Sequence, residues 1–118
     1  MSSSKEFVSG LDAAMTALAS AASHKHFQFA THEEAFRAFQ HIAALAVSLH
    51  TASHRVVDAL VRKRGDVEEN GGGVDRSFWD AMEAMQQVRL DTNIAARHAA
   101  TATEAAGAMK YPKPATAR

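Results

Sequence analysis

The chain has 118 residues with 13 basic and 13 acidic side chains, so its formal net charge is zero, and it contains no cysteine. Without cysteine, this chain cannot form disulfides, zinc–thiolate sites or a cysteine nucleophile. The even charge disfavours nucleic acid as the main partner, because nucleic-acid binders usually carry a basic excess or a basic stripe. No stretch reaches the roughly 18–20 apolar residues that a membrane span requires.

The first helix is predicted at residues 4–22. Ser3 and Glu6 have the spacing of a capping box, in which two side chains satisfy orphan N–H groups of the first turn. Apolar side chains then recur at steps of three or four residues, as is typical of one face of a helix: Phe7, Leu11, Met15 and Leu18. The alanine-rich run at 13–22 is only weakly apolar, so it indicates a helix rather than the core of a signal peptide.

Two longer helices are predicted at residues 32–64 and 75–109. Thr31 and Glu34 form a second capping-box pair at the start of the first of these helices. Gly65 supplies a stop, and the glycine cluster near residue 72 indicates a loop at 65–74.

The predicted organisation is a single helical domain at residues 1–110, as the length of the chain suggests. Pro112 prevents the third helix from continuing. Residues 111–118 carry both prolines and no acidic side chain, and we expect them to form a disordered tail.

Both long helices carry residues at alternating steps of three and four, the spacing of a coiled-coil seam. In the second helix this seam runs through Phe39, Ile42, Ala46, Leu49, Ser53, Val56 and Leu60. In the third helix it runs through Phe78, Ala81, Met85, Val88, Thr92, Ala95, Ala99, Ala102, Ala106 and Met109. Folded back at the glycine loop, the two seams meet layer by layer. The predicted core therefore contains Phe39, Ile42, Leu49, Val56, Leu60, Phe78, Met85 and Val88.

The predicted fold is all-α: an antiparallel hairpin of two long helices plus a shorter N-terminal helix, in a three-helix bundle completed by oligomerisation. The first helix is long enough to cover only about half of the open face of the hairpin. Apolar residues off the seam are too many for three helices of unequal length to bury, and a contiguous exposed apolar patch usually marks an interaction site. The predicted interface residues are Val47, Val57, Val61, Trp79, Met82, Leu90 and Ile94.

A histidine cluster on the second helix is a candidate metal site. His50, His54 and Asp58 follow one another at intervals of four, so they share a face of the helix. Two histidines at this spacing can bind one transition metal, and the carboxylate would supply a third ligand. Neither an HExxH motif nor paired Glu-x-x-His motifs are present. A half-exposed polar flank is the more common arrangement for such residues.

No catalytic residue is predicted, and no cofactor. Catalysis by a nucleophile requires a Ser, Thr or Cys held by a base. His54 follows Ser53 directly, but adjacent positions of a helix diverge by about 100° and do not face each other.

In shape, the predicted hairpin resembles the small secreted WXG100-like proteins of type VII systems, which are short helical hairpins with a tryptophan at the turn. Here Trp79 lies beside the loop, but Asp80 and Ala81 follow it in place of the W-x-G motif. Pro112 follows Tyr111, so the tail lacks the Tyr-x-x-x-Asp/Glu signal, and the first helix is an addition. The resemblance covers the hairpin only and implies a secreted helical protein.

The main functional expectation is a non-enzymatic helical interaction or structural subunit, which self-associates as a homo-oligomer or binds another helical protein. One alternative is a metal- or small-ligand-binding bundle that uses the histidines. Others are a secreted hairpin similar to WXG100-like type VII substrates, and a plasmid or phage accessory factor, against which the even charge argues. A cytoplasmic location is expected, and export without a cleaved signal is also compatible with the sequence.

Overall fold

A computed structural model describes residues 3–112 of the chain. Within this range the fold consists of three α-helices and no strand: α1 at Ser4–Ala22, α2 at His32–Glu69 and α3 at Arg76–Ala108. α2 and α3 pack against each other along an antiparallel hairpin, which confirms the predicted all-α architecture with two long helices. The described part of the chain is elongated, with a longest dimension of 77 Å.

Each helix begins at a side-chain cap. The Ser3 hydroxyl accepts a hydrogen bond from the Glu6 N–H at 3.2 Å, and the Thr31 hydroxyl accepts one from the Glu34 N–H at 3.1 Å. At the start of α3, the Asp75 carboxylate accepts a bond from the Phe78 N–H at 2.9 Å. Such a cap typically contributes about 1 kcal/mol to helix stability, because it satisfies a backbone donor that has no partner within the helix.

The end of α2 differs from the prediction. α2 passes through Gly65 and ends at Glu69, so the predicted loop at 65–74 is too long. The stop is a Schellman motif, in which the Gly71 N–H donates to the Glu68 carbonyl and the Gly72 N–H to the Val67 carbonyl. Gly71 has a φ of 82°, where a residue with a Cβ would be strained. Gly71 thus provides the positive φ that ends the helix. Gly65 lies within the helix, where glycine lowers helix stability by about 1 kcal/mol relative to alanine.

The contact between α2 and α3 follows a seven-residue repeat, here called the hairpin seam. Its members on α2 are Phe36, Phe39, Ala43, Ala46, His50, Ser53, Val57, Leu60 and Arg64. Its members on α3 are Phe78, Met82, Met85, Arg89, Thr92, Ala96, Ala99, Thr103 and Ala106. All are buried or half-buried. Large side chains occupy both ends of the hairpin seam, whereas small and polar side chains line its middle.

Polar side chains of the two helices bond across the hairpin. His32 Nε2 lies 2.8 Å from the Ala106 carbonyl oxygen, and His50 Nδ1 lies 2.9 Å from the Arg89 carbonyl oxygen. The Thr103 hydroxyl donates to the Ala99 carbonyl of its own helix at 2.7 Å and also lies 3.2 Å from the Phe39 carbonyl oxygen across the hairpin. These bonds require the two backbones to lie close together, which the alanines of the seam permit. They also satisfy polar groups that would otherwise be costly to remove from water.

The predicted core is correct at some positions and wrong at others. Phe39, Leu60, Phe78 and Met85 lie in the hairpin seam, and Val56 is half-buried beside it. Ile42, Leu49 and Val88 are 56%, 54% and 40% exposed, so their assignment to the core is wrong for the single chain.

The three residues are exposed because both helices are rotated about their axes relative to the predicted orientation. The residues that follow the three exposed ones, Ala43, His50 and Arg89, face the opposite helix instead. This alternative stripe has the same spacing of three and four residues. It is favoured by its small side chains and by the bonds that its polar groups make across the hairpin.

Within residues 3–112, α1 makes no contact with α2 or α3. The expectation that α1 covers half of the hairpin is therefore wrong for the single chain, and no three-helix bundle forms within it. Four large apolar side chains on one stripe of α1 are exposed: Val8 by 61%, Leu11 by 40%, Met15 by 64% and Leu18 by 49%.

The connector between α1 and α2 is anchored at the open end of the hairpin. The Phe29 N–H donates to the Tyr111 hydroxyl at 3.1 Å, and the Phe27 and Phe29 rings meet edge to face at 5.2 Å. Tyr111 was predicted to belong to a disordered tail, but it is half-buried against this connector. The rest of that predicted tail, from residue 113 to residue 118, lies outside the described residues.

Candidate interaction surface

The three side chains misassigned to the core, Ile42, Leu49 and Val88, lie on one continuous edge of the hairpin, here called the apolar edge. On each helix they precede seam residues by one position, a step that turns the side chain by about 100°. α2 and α3 are antiparallel and their seams face each other. The residues that precede the seam residues in α2 therefore lie on the same edge as those that precede the seam residues in α3. Its members are Ile42, Leu49 and Val56 of α2 and Ala81, Val88, Ala95 and Ala102 of α3.

The surface beyond the apolar edge is also poor in charge. The next row outward on α2 consists of Ala38, Leu45, Ala52 and Ala59, and that on α3 of Ala84, Asp91, His98 and Ala105. From Ala38 to His54, α2 carries no Asp, Glu, Lys or Arg on any face. A helix exposed to water usually has one charged side. This uncharged segment coincides with the small-residue middle of the hairpin seam, so the larger side chains lie outside the seam there.

The opposite side of the hairpin, here called the mixed edge, follows the seam by one position. Its members are Gln40, Val47, His54 and Val61 of α2 and Trp79, Gln86, Asn93 and Ala100 of α3. Apolar side chains on this edge are separated by polar ones. The next row outward includes Asp58, Glu83 and Arg97, which keep this side of the hairpin hydrated.

Trp79 lies on the mixed edge near the loop. The Arg64 guanidinium lies over its ring, 4.9 Å from the ring centroid. Glu68 lies 3.9 Å from the same guanidinium, one helical turn further along α2. Trp79 thus already has a partner within the chain, and the residue is 44% exposed.

The predicted interface residues fall into two groups. Val57 and Met82 are only 9% and 8% exposed because they pack in the hairpin seam, so they are not available to a partner and their prediction was wrong. The others are exposed on the mixed edge or the outer face of α3: Val47, Val61, Trp79, Leu90 and Ile94.

The candidate metal ligands lie in different environments. His50 is half-buried in the seam and its Nδ1 is directed at the Arg89 carbonyl, whereas His54 is exposed on the mixed edge. Asp58 is half-buried further along α2. Over the described range, no group of three His, Cys, Asp or Glu side chains is arranged to hold a metal ion.

Comparison of the chain with protein-family models, with curated proteins and with solved structures gave no match. Between residues 3 and 112, none of the helices has the length and apolar character that crossing a membrane would require.

The apolar edge was not predicted, because all of its side chains had been assigned to the predicted seam between the two helices. Two overlapping stripes on α2 have equal spacing, one through Ile42 and Leu49 and the other through Ala43 and His50. The uncharged stretch from Ala38 to His54 was the available signal that more than one face of this segment avoids water.

Proposed function

We propose that this chain is a non-enzymatic structural subunit that self-associates through the apolar edge of its hairpin. The observation that carries the proposal is the inverted distribution of side chains in the middle of the hairpin. Small or polar side chains fill the seam there, Arg89 and Thr92 among them, while Ile42, Leu49 and Val88 are exposed together on one edge.

The expected energy of burying this edge supports association. Burying a Leu, Ile or Val side chain fully is worth about 1.5–3 kcal/mol. Ile42, Leu49 and Val88 are each roughly half exposed in the single chain. Covering these three therefore contributes on the order of 3 kcal/mol per copy, before the surrounding alanines are counted. That is a large term beside the marginal stability of a two-helix hairpin.

The test is the solution mass of the full chain, measured by light scattering over about a hundredfold range of concentration, because assembly responds to mass action. We expect the mass to exceed that of one chain and to rise with concentration. Leu49→Lys should return the protein to a monomer, because the charge would have to be buried without a partner.

Val47→Lys is the matched control, because Val47 and Leu49 are each 54% exposed on the same helix but lie on opposite edges. It should leave the mass unchanged. A wild-type protein that stays monomeric at every concentration would overturn self-association. Equal effects of the two substitutions would show that the apolar edge is not the contact surface.

A further inference from the structure

From the two unpartnered apolar surfaces of this chain, we infer that the apolar edge is covered by α1 of a second copy, in a reciprocal exchange within a homodimer. This inference rests on the proposed self-association and specifies its geometry. The helix that covers the edge is the N-terminal helix of the partner copy, so α1 acts as a dimerisation arm.

α1 has the pattern that the apolar edge requires. Val8, Leu11, Met15 and Leu18 are separated by steps of three, four and three residues, so they form a single stripe. At 1.5 Å per residue the stripe is roughly 15 Å long, and the span from Ile42 to Val56 is roughly 21 Å. The stripe therefore fits within the edge.

The charges of the two surfaces are compatible. The apolar edge contains no ionisable side chain. α1 carries only Lys5, Glu6 and Asp12, and its remaining part, residues 13–22, is free of charge. Contact between the two surfaces thus leaves few charges to be desolvated.

The anchoring of the connector separates α1 from the edge of its own hairpin. Phe29 is bonded to Tyr111, and the Ala30 N–H donates to the Glu34 carboxylate at 2.9 Å. From this anchored connector α1 extends away without touching α2 or α3, within the described range. A second copy can present its edge to α1 without displacing those contacts.

The area involved favours a reciprocal arrangement over a single contact. Eight roughly half-exposed side chains meet when one α1 covers one edge: the four of the α1 stripe and Ile42, Leu45, Leu49 and Val88. One such contact buries on the order of 500 Å², which is typical of a crystal contact. Two symmetric contacts bury about 1,000 Å², close to the lower limit for specific interfaces. The dimer is therefore closed but weak, and it should dissociate on dilution.

Charge complementation tests the exchange in the full-length chain. One variant carries Leu11→Lys with Leu18→Lys on α1, and the other carries Ile42→Glu with Leu49→Glu on the apolar edge. Each alone should be monomeric by sedimentation velocity at concentrations where the wild type dimerises. An equimolar mixture should form a one-to-one heterodimer, because one contact is then wild type and the other pairs Lys with Glu.

The control for α1 is Ala13→Lys with Ser20→Lys. These positions are also seven residues apart and exposed, but they lie on the side of α1 opposite to the stripe. This variant should dimerise as the wild type does, and circular dichroism should show equal helix content in all variants.

The remaining outcomes separate the exchange from the proposed function. Dimerisation of the α1 variant, with a monomeric edge variant, would overturn the exchange and indicate that two hairpins pack directly. A mixture that stays monomeric would also overturn it. If the edge variant dimerised normally, self-association through the apolar edge would itself be wrong.

Discussion

On the apolar edge, Leu49 is 54% exposed among other aliphatic side chains, whereas on the mixed edge Val47, equally exposed, lies between Gln40 and His54. The two edges lie on opposite sides of the same seam and are formed by the same two helices. What distinguishes them is continuity. Single exposed apolar side chains are ordinary on protein surfaces, and a contiguous set of them is not. The exposure of one residue is therefore a poor guide to an interaction surface, which is indicated instead by exposed apolar side chains that lie next to one another.

The largest expected effect comes from truncating the apolar edge. Ile42→Ala combined with Leu49→Ala and Val88→Ala should weaken dimerisation by about ten-thousandfold, because both copies lose three side chains that each contribute roughly 1 kcal/mol when covered. Concentration-dependent sedimentation would measure this change.

The comparison variant for this triple truncation is Val47→Ala with Val61→Ala on the mixed edge. It should change the dissociation constant by less than about threefold, because those side chains remain hydrated. A comparable loss in both variants would remove the distinction between the edges.

A smaller effect is expected in the seam between the edges. Met82 is buried, so Met82→Ala should lower the free energy of unfolding by about 2 kcal/mol through loss of packing. Urea unfolding followed by circular dichroism would measure it below the concentration of assembly. Leu90→Ala, at an exposed position of the same helix, should cost far less. A Met82 effect that appeared only at high concentration would place this residue in an intermolecular contact instead.

The distinction between the edges can also be removed by design. Gln86→Leu with Asn93→Leu would join the apolar side chains of the mixed edge into a continuous patch. We expect this variant to self-associate about tenfold more tightly than the wild type, because the burial of two further apolar side chains would stabilise the assembly. Light scattering should then detect species larger than the wild-type assembly. An unchanged mass would mean that edge composition alone does not drive contact.

A weaker interaction lies at the loop end of the mixed edge. Arg64→Gln removes the guanidinium from the Trp79 ring and should destabilise the hairpin by about 0.5–1 kcal/mol. Tryptophan fluorescence during urea unfolding would report both the stability and the altered environment of the ring. Lys63→Gln, the exposed neighbour, should change neither.

The smallest expected effect concerns the histidines. Addition of zinc or nickel ions should leave the thermal unfolding temperature unchanged, because His50 is directed at a carbonyl of α3 and His54 lies on the mixed edge. Isothermal titration would check this independently. Stoichiometric binding that is lost in both His50→Ala and His54→Ala would instead support the metal-binding alternative.

Much of the helical framework could be predicted from local chemistry. The caps at Ser3 and Thr31 depend on side chains within three residues of the backbone groups they satisfy, so spacing alone revealed them. The end of α2 was harder to place, because Gly65 and Gly71 are both acceptable stops locally. α2 continues past Gly65 and ends where the Gly71 and Gly72 N–H groups bond to the Glu68 and Val67 carbonyls, and Val67 is half-buried there.

The sequence by itself determined that this protein is a hairpin of two long helices with apolar residues in excess of what the hairpin can bury. Only the tertiary structure decided which stripe faces inward. Ile42 with Leu49 and Ala43 with His50 have identical spacing, so periodicity cannot choose between them. The choice depends on how closely two backbones approach and on whether His50 and Thr103 reach carbonyls of the opposite helix. These contacts join segments that are far apart in the chain, and they form only when the two helices pack.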